Sequence, residues 1–221
     1  MKIRLPRPTR AGFTLIELVV VVTIIALLFA LTIGGFTYAQ RSAARSKTTT
    51  TLKAIQSALE RYNTEFGEYP EPSNPGDTVS MGNKIYEASG ATMLYQALSG
   101  DGYNNIKIAT TPSGDADPNS NGSLDEGESK SVMLTDMPKE IWVFQENKYY
   151  MIDGFGRPFQ YTKAVPIDPN GTGGASTALT INPTYDLWSY GEDEENVMAR
   201  SIDTLTDEQL KQKSVLWIKN W

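Results

Sequence analysis

From Leu18 to Gln40 the chain carries no charged residue, and Leu18–Phe36 is almost wholly aliphatic. At a rise of about 1.5 Å per residue, a helix of about 20 such residues matches the hydrocarbon thickness of a bilayer. The run is expected to be helical, in lipid or among like helices, because a helix satisfies its own backbone where water is absent. One residue disturbs the pattern. Glu17 stands at the head of the run, in the stretch AGFTLIELVV. A carboxylate in such a place is costly and usually has a partner or a task. The plain alternative is an incidental carboxylate at the membrane interface.

The flanks add direction. Lys2, Arg4, Arg7 and Arg10 precede the run, and the first twelve residues contain no acid. That asymmetry keeps residues 1–12 on the cytoplasmic side and the C-terminal bulk outside. An ordinary secretory signal has an apolar core of about 7–15 residues and a small-residue cleavage site. Here the run is longer, and Tyr38-Ala39-Gln40 is a weak match to such a site. The formal net charge is −6, and loss of the four leading basic residues takes it to −10. An acidic exterior argues against nucleic acid as a partner and is compatible with cation binding. The chain has no cysteine and no histidine. Disulfides, thiolate or imidazole metal sites, and Ser-His-Asp or Cys-His catalysis are therefore excluded.

A basic leader, then Gly12, Phe13, Thr14, Leu15, Ile16 and Glu17, then an aliphatic helix, resembles the type IV pilin and pseudopilin superfamily. The resemblance implies that prepilin peptidase cuts between Gly12 and Phe13 and that the new N-terminus is methylated. It also implies that Glu17, the fifth mature residue, faces the Phe13 amine of a neighbouring subunit. The electrostatics agree. Such a cut removes four positive charges, leaves the anchor, and exposes an ammonium that a carboxylate can pair with in a low-dielectric setting.

Beyond the membrane run, Leu52, Ile55, Leu59, Tyr62 and Phe66 form one apolar stripe at helical spacing, suited to packing on a sheet. Gly34-Gly35 weakens the helix and marks a bend or melted stretch. Gly67 and Pro70 end it. Residues 71–84 read as loop. Residues 91–98 read as a short helix closed by Gly100. Residues 140–145 and 148–152, split by Glu146-Asn147, read as a β-hairpin. Strands are expected at 158–162 and 185–189, a flexible connection at 168–176 and a short helix at 206–213 before a strand-like tail. The expected fold is α+β: a long N-terminal helix, transmembrane in its first half, packed on a small antiparallel sheet, pilin-like. The expected segments are a leader at 1–12, a transmembrane and filament-core helix at 13–38, an amphipathic continuation at 39–67 and an extracytoplasmic globular domain at 68–221.

The segment 115–128, DADPNSNGSLDEGE, carries its own spacing. Asp117, Asn119, Asn121, Gly122, Ser123, Asp125 and Glu128 occupy positions 1, 3, 5, 6, 7, 9 and 12 of an EF-hand loop. Ca²⁺ takes six to eight hard oxygens, and alternate residues of a tight loop can supply them around a glycine at position 6. Pro118 is unusual at position 2, and no pair of flanking helices is evident. The loop is either an EF-hand-like calcium site of structural role or a solvated turn.

A second resemblance narrows the family. Asp153–Tyr161, DGFGRPFQY, is similar to the D-P-W-G-x-P-Y-x-Y stretch of major pseudopilins of type II secretion, and Tyr185–Asp193, YDLWSYGED, to their Y-D-L-x-S-x-G-x-D. In that family the second stretch opens a calcium loop, which implies ligands at the Tyr190 carbonyl and the Asp193 side chain. The family adds an aspartate just before a terminal I-x-N-W. Here the ending is LWIKNW, with Leu216 or Trp217 at that place. The alternative for Glu192–Glu195 is a solvated acidic loop.

The expected function is that of a non-enzymatic subunit of a pseudopilus, a homo-oligomeric helical filament. By the resemblance, its partners are prepilin peptidase, an inner-membrane assembly platform and other pseudopilins; calcium is the structural cofactor expected from the 117–128 spacing. The mature chain waits in the inner membrane, N-terminus cytoplasmic and C-terminal domain periplasmic. A type IV pilin for adhesion, motility or DNA uptake is the near alternative, and the lack of cysteine tilts against it. A membrane-anchored enzyme or calcium-binding domain is the distant one. Asp153 and Asp186 would be its acid–base pair, but turn and strand-end roles explain them, and no nucleophile elbow, Walker loop or Rossmann glycine pattern appears.

Overall fold

A computed structural model describes residues 12–107, 118–135, 137–164, 180–193, 195 and 207–221. It divides into two units, residues 1–42 and 43–221. Helix α1 spans Leu15–Phe66. Its residues up to Ser42 belong to the first unit. There the apolar side chains from Leu15 to Phe36 are all exposed, and the helix is long and apolar enough to cross a membrane. The helix runs unbroken through Gly34-Gly35, where the sequence suggested a bend or a melted stretch. Their propensity cost of about 1 kcal/mol each is small against the many aliphatic turns on either side.

In the second unit the stripe on α1 does what its spacing implies. Leu52, Ile55, Leu59 and Tyr62 are buried, with Phe66 packed against them. They share one core cluster with Met93, Leu94 and Leu98 of α2, Ser89–Ser99. Gly100 closes α2 in the left-handed region, and its N–H donates to the Gln96 carbonyl at 3.0 Å. The hairpin of β5, Trp142–Gln145, and β6, Lys148–Met151, forms as expected. Glu146 and Asn147 turn it at φ +48° and +63°, the geometry of a tight two-residue turn.

The sheet itself is divided. β7, Gln160–Lys163, pairs antiparallel with β8, Tyr185–Ser189, which pairs with β9, Ile218–Lys219. β1, Glu71–Pro72, pairs with β4, Ile106–Lys107. β2, Thr78–Met81, and β3, Lys84–Glu87, form a hairpin that overlaps the expected loop at 71–84. Its strands bury one residue each, Val79 and Tyr86, so no alternation shows in the sequence. These join Tyr150, Trp188, Tyr190 and Trp217 in a second core cluster. Leu210 of α3, Asp207–Lys213, completes it. The expected connection at 168–176 lies outside the described residues. The layout is the α+β, pilin-like one expected, with several small antiparallel sheets in place of one.

Glu87 at the end of β3 gives a pH prediction. Burial raises its pKa, against hydrogen bonds from Ser89, and the nearby Asp77 raises it further. A carboxyl whose folded pKa lies above its unfolded value stabilises the fold in its protonated form. That contribution is complete below the unfolded pKa and is lost as pH rises through the folded one. Glu87→Gln is therefore expected to melt higher than the parent chain at about pH 7, with the gap closing toward about pH 4. Thermal melts of both chains across that range check it, and a lower Tm for the variant at neutral pH would contradict it.

Candidate functional site

The N-terminal site is built on the first turn of α1. Thr14 precedes the helix, and Glu17 is its third residue. The Thr14 N–H and hydroxyl both donate to Glu17 Oε2 at 2.8 Å, and the Glu17 N–H donates to Thr14 Oγ1 at 3.3 Å. This is a reciprocal capping box, legible in the sequence as Thr14-x-x-Glu17 but missed when Glu17 was considered only as an ion-pair partner. Phe13 is 84% exposed, and Gly12 beside it is also exposed. Gly12, Phe13 and the carboxylate thus lie at one helix end, followed by uncovered aliphatic surface. The residues before Gly12, expected to be a leader, lie outside the described residues.

The loop with EF-hand spacing is tied to the end of α2 by two buried acids. Asp101, 2% exposed, accepts the Asn121 and Gly122 N–H groups and the Tyr95 hydroxyl, all at 2.8 Å. Burial, then the Asp101 carboxylate, push the Tyr95 phenol far up, so it stays a donor. Glu128, also 2% exposed, accepts the Gly102 N–H at 2.8 Å and the Asp125 N–H at 2.9 Å. Gly122, at position 6, has φ +85°, and a Cβ there would lie 2.5 Å from the Tyr149 hydroxyl. Asn119 accepts from the Asn104 amide at 2.6 Å, and Asn121 accepts from the Ser123 N–H and hydroxyl at 2.9 and 2.7 Å. Asp117 lies outside the described residues. Among the described residues no three acidic side chains gather as metal ligands. Asp101 was not anticipated, because an acid between Gly100 and Gly102 reads as an ordinary turn residue.

The stretches 153–161 and 185–193, distant in sequence, meet in space. Asp153 is buried and accepts the Phe155 and Arg157 N–H groups at 2.8 and 2.9 Å and the Ser189 hydroxyl at 2.5 Å. Burial raises its pKa, opposed by these same donors. Asp186 is buried too, and accepts the Ile181 and Asn182 N–H groups at 2.8 and 3.0 Å. Both acids are turn anchors. The Tyr190 carbonyl accepts the Asp193 N–H at 3.0 Å. The Asp193 carboxylate accepts the Glu195 N–H at 2.9 Å and the Trp217 indole N–H at 2.8 Å. Arg157 donates from one Nη1 to the Gly191 carbonyl at 3.0 Å and the Asp193 carbonyl at 2.6 Å.

An exposed apolar helix headed by a capped glutamate, in a chain with a small α+β domain, is consistent with a membrane-anchored protein of pilin-like layout. Comparison with known proteins shows what the chain is similar to. Residues 7–33 match the prokaryotic N-terminal methylation motif, which takes in Gly12, Phe13 and Glu17. The chain is 36% identical over 93 residues to the type IV major pilin protein PilA of Myxococcus xanthus (strain DK1622). That match covers 41% of this chain and 42% of the relative, so the chain aligns with less than half of that protein's length. No solved structure matches it significantly. Motif and similarity together support the type IV pilin and pseudopilin superfamily.

Proposed function

We propose that the chain is the structural subunit of a pseudopilus, the filament that drives export of folded proteins in type II secretion. Prepilin peptidase cuts between Gly12 and Phe13, and the mature subunit waits in the inner membrane with its globular domain in the periplasm. It is then assembled by an inner-membrane platform alongside other pseudopilins. The observation that carries the filament reading is the helix head: an exposed Phe13, a carboxylate one turn inside, and aliphatic surface that only lipid or neighbouring helices can cover. The pseudopilus, as against a pilus, is supported by the contact between the two C-terminal stretches that resemble major pseudopilins. The role is structural, not catalytic.

A type IV pilin is the second reading, favoured by the similarity to PilA. Removing the chain from its cell separates the two. Lost export without loss of long surface fibres is the expected result, lost fibres with export intact favours the pilin, and no change in either contradicts both.

We further propose that the 117–128 loop binds one calcium ion of structural role. The EF-hand spacing of the loop and the positive-φ turn at its sixth position, Gly122, support this reading. Asp117, Asn119, Asn121, Ser123, Asp125 and Glu128 would hold the ion, which supplies folding free energy where disulfides are lacking. Calcium about tenfold above its Kd is expected to raise Tm by roughly 3–6 °C, and Glu128→Gln to remove most of that rise. A melting curve unmoved by millimolar calcium would contradict the site.

A further inference from the structure

We propose that Arg157 is the resident cation of the 190–193 loop, so that this loop is held without a metal ion. The expectation of a metal there rests on the pseudopilin reading, but the contacts stand without it. Every oxygen named as a ligand already has a donor. The Tyr190 carbonyl takes the Asp193 N–H, and the two Asp193 carboxylate oxygens take the Glu195 N–H and the Trp217 indole. Two further loop carbonyls, those of Gly191 and Asp193, take the Arg157 guanidinium.

The guanidinium is delivered by a built turn. The Asp153 N–H donates to the Arg157 carbonyl at 2.8 Å, the Arg157 N–H donates to Asp153 Oδ1, and the Ser189 hydroxyl fixes Asp153 Oδ2. Ser189 in turn accepts the Gly191 N–H at 2.9 Å, so turn and loop share one network. A calcium ion would meet a fixed positive charge on neighbouring carbonyls of the same loop, and like charges at short distances repel. The C-terminal change fits. Where the resembling family has an aspartate, this chain has Leu216 or Trp217, and the Trp217 indole N–H bonds Asp193 directly. With no acid at that place and a guanidinium on the loop carbonyls, the described residues of this loop present no set of ligands for a divalent cation.

The test uses the full chain in detergent micelles, with isotope-labelled tryptophan and the Trp217 indole resonance assigned by its loss in Trp217→Phe. In the parent chain that resonance should keep its position from excess chelator to millimolar calcium. Arg157→Gln should shift it and lower Tm by roughly 3–12 °C at either calcium level. Movement of the Trp217 resonance to a saturating value with calcium in the parent chain would overturn the proposal, as would an Arg157→Gln variant with parental Tm and resonance. Should that variant fail to fold, the parent titration decides alone. Calcium binding at 117–128 would raise Tm without moving Trp217, and the choice between pseudopilus and pilus is read from export and fibres, so failure here is distinguishable from failure of either.

Discussion

Glu17→Ala should abolish filament assembly and leave the chain in the membrane. Membrane insertion depends on the uncharged run that begins at Leu18, and removing a carboxylate from its head makes the helix more apolar. Assembly is different, because on the proposed processing subunits would bury the Phe13 amine that cleavage creates. Leaving one member of a buried ion pair without its partner weakens each subunit contact by roughly a hundredfold or more, and the loss recurs along the filament. The capping box supplies the control. Alanine also removes the bonds from Thr14, which by itself weakens the helix start. Glutamine keeps an acceptor for those bonds and discards only the charge. Glu17→Gln should therefore retain the helix start and still fail to assemble. Membrane fractionation and recovery of sheared filaments measure the two properties, and normal filaments from Glu17→Gln would remove the ion pair from the account.

The second large effect is expected at Gly154→Ala, far from the helix head. A Cβ on Gly154 would lie 2.3 Å from the Ala44 carbonyl oxygen and 3.0 Å from Thr48 Oγ1. Both neighbours are fixed. The Thr48 hydroxyl donates to the Ala44 carbonyl at 2.8 Å and accepts the Gly154 N–H at 2.9 Å, and Thr48 is fully buried. The clash is with helix backbone, so either α1 or the 153–157 turn must move. Overpacking of this kind costs about 1–3 kcal/mol, and the upper end applies where backbone cannot yield. Of a total stability of about 5–15 kcal/mol, that is a large share. The expected fall in Tm is roughly 6–12 °C. A parental melting curve would show that α1 and the turn are not in fact locked together.

The parts of this fold that were legible in the sequence are those whose signal is local. The α1 stripe at Leu52, Ile55, Leu59 and Tyr62 repeats at helical spacing because one face meets a core. Glu146-Asn147 marks a turn because few residues other than glycine accept positive φ, and asparagine is one that does. The hairpin of β2 and β3 was hidden because one buried residue per strand makes no period. Thr14 was overlooked since its bonds are made to a residue already assigned a distant partner. Asp101 and Arg157 act on segments roughly 20 and 35 residues further along the chain, and although Arg157 lies in the DGFGRPFQY stretch, nothing local shows which distant carbonyls it bonds. At the helix head the residues themselves, Gly12, Phe13 and Glu17, carry the motif, so that site was open to reading from the start.

The most direct test of the central claim is the mass of the N-terminal peptide of the mature protein, taken from membranes and from any filaments. A peptide that begins at Phe13 and carries one added methyl group on its amine is the result expected, since only that cut creates the cation Glu17 is there to meet. A mature chain that begins at Met1, or anywhere beyond residue 38, would leave Glu17 with no such partner and contradict the account.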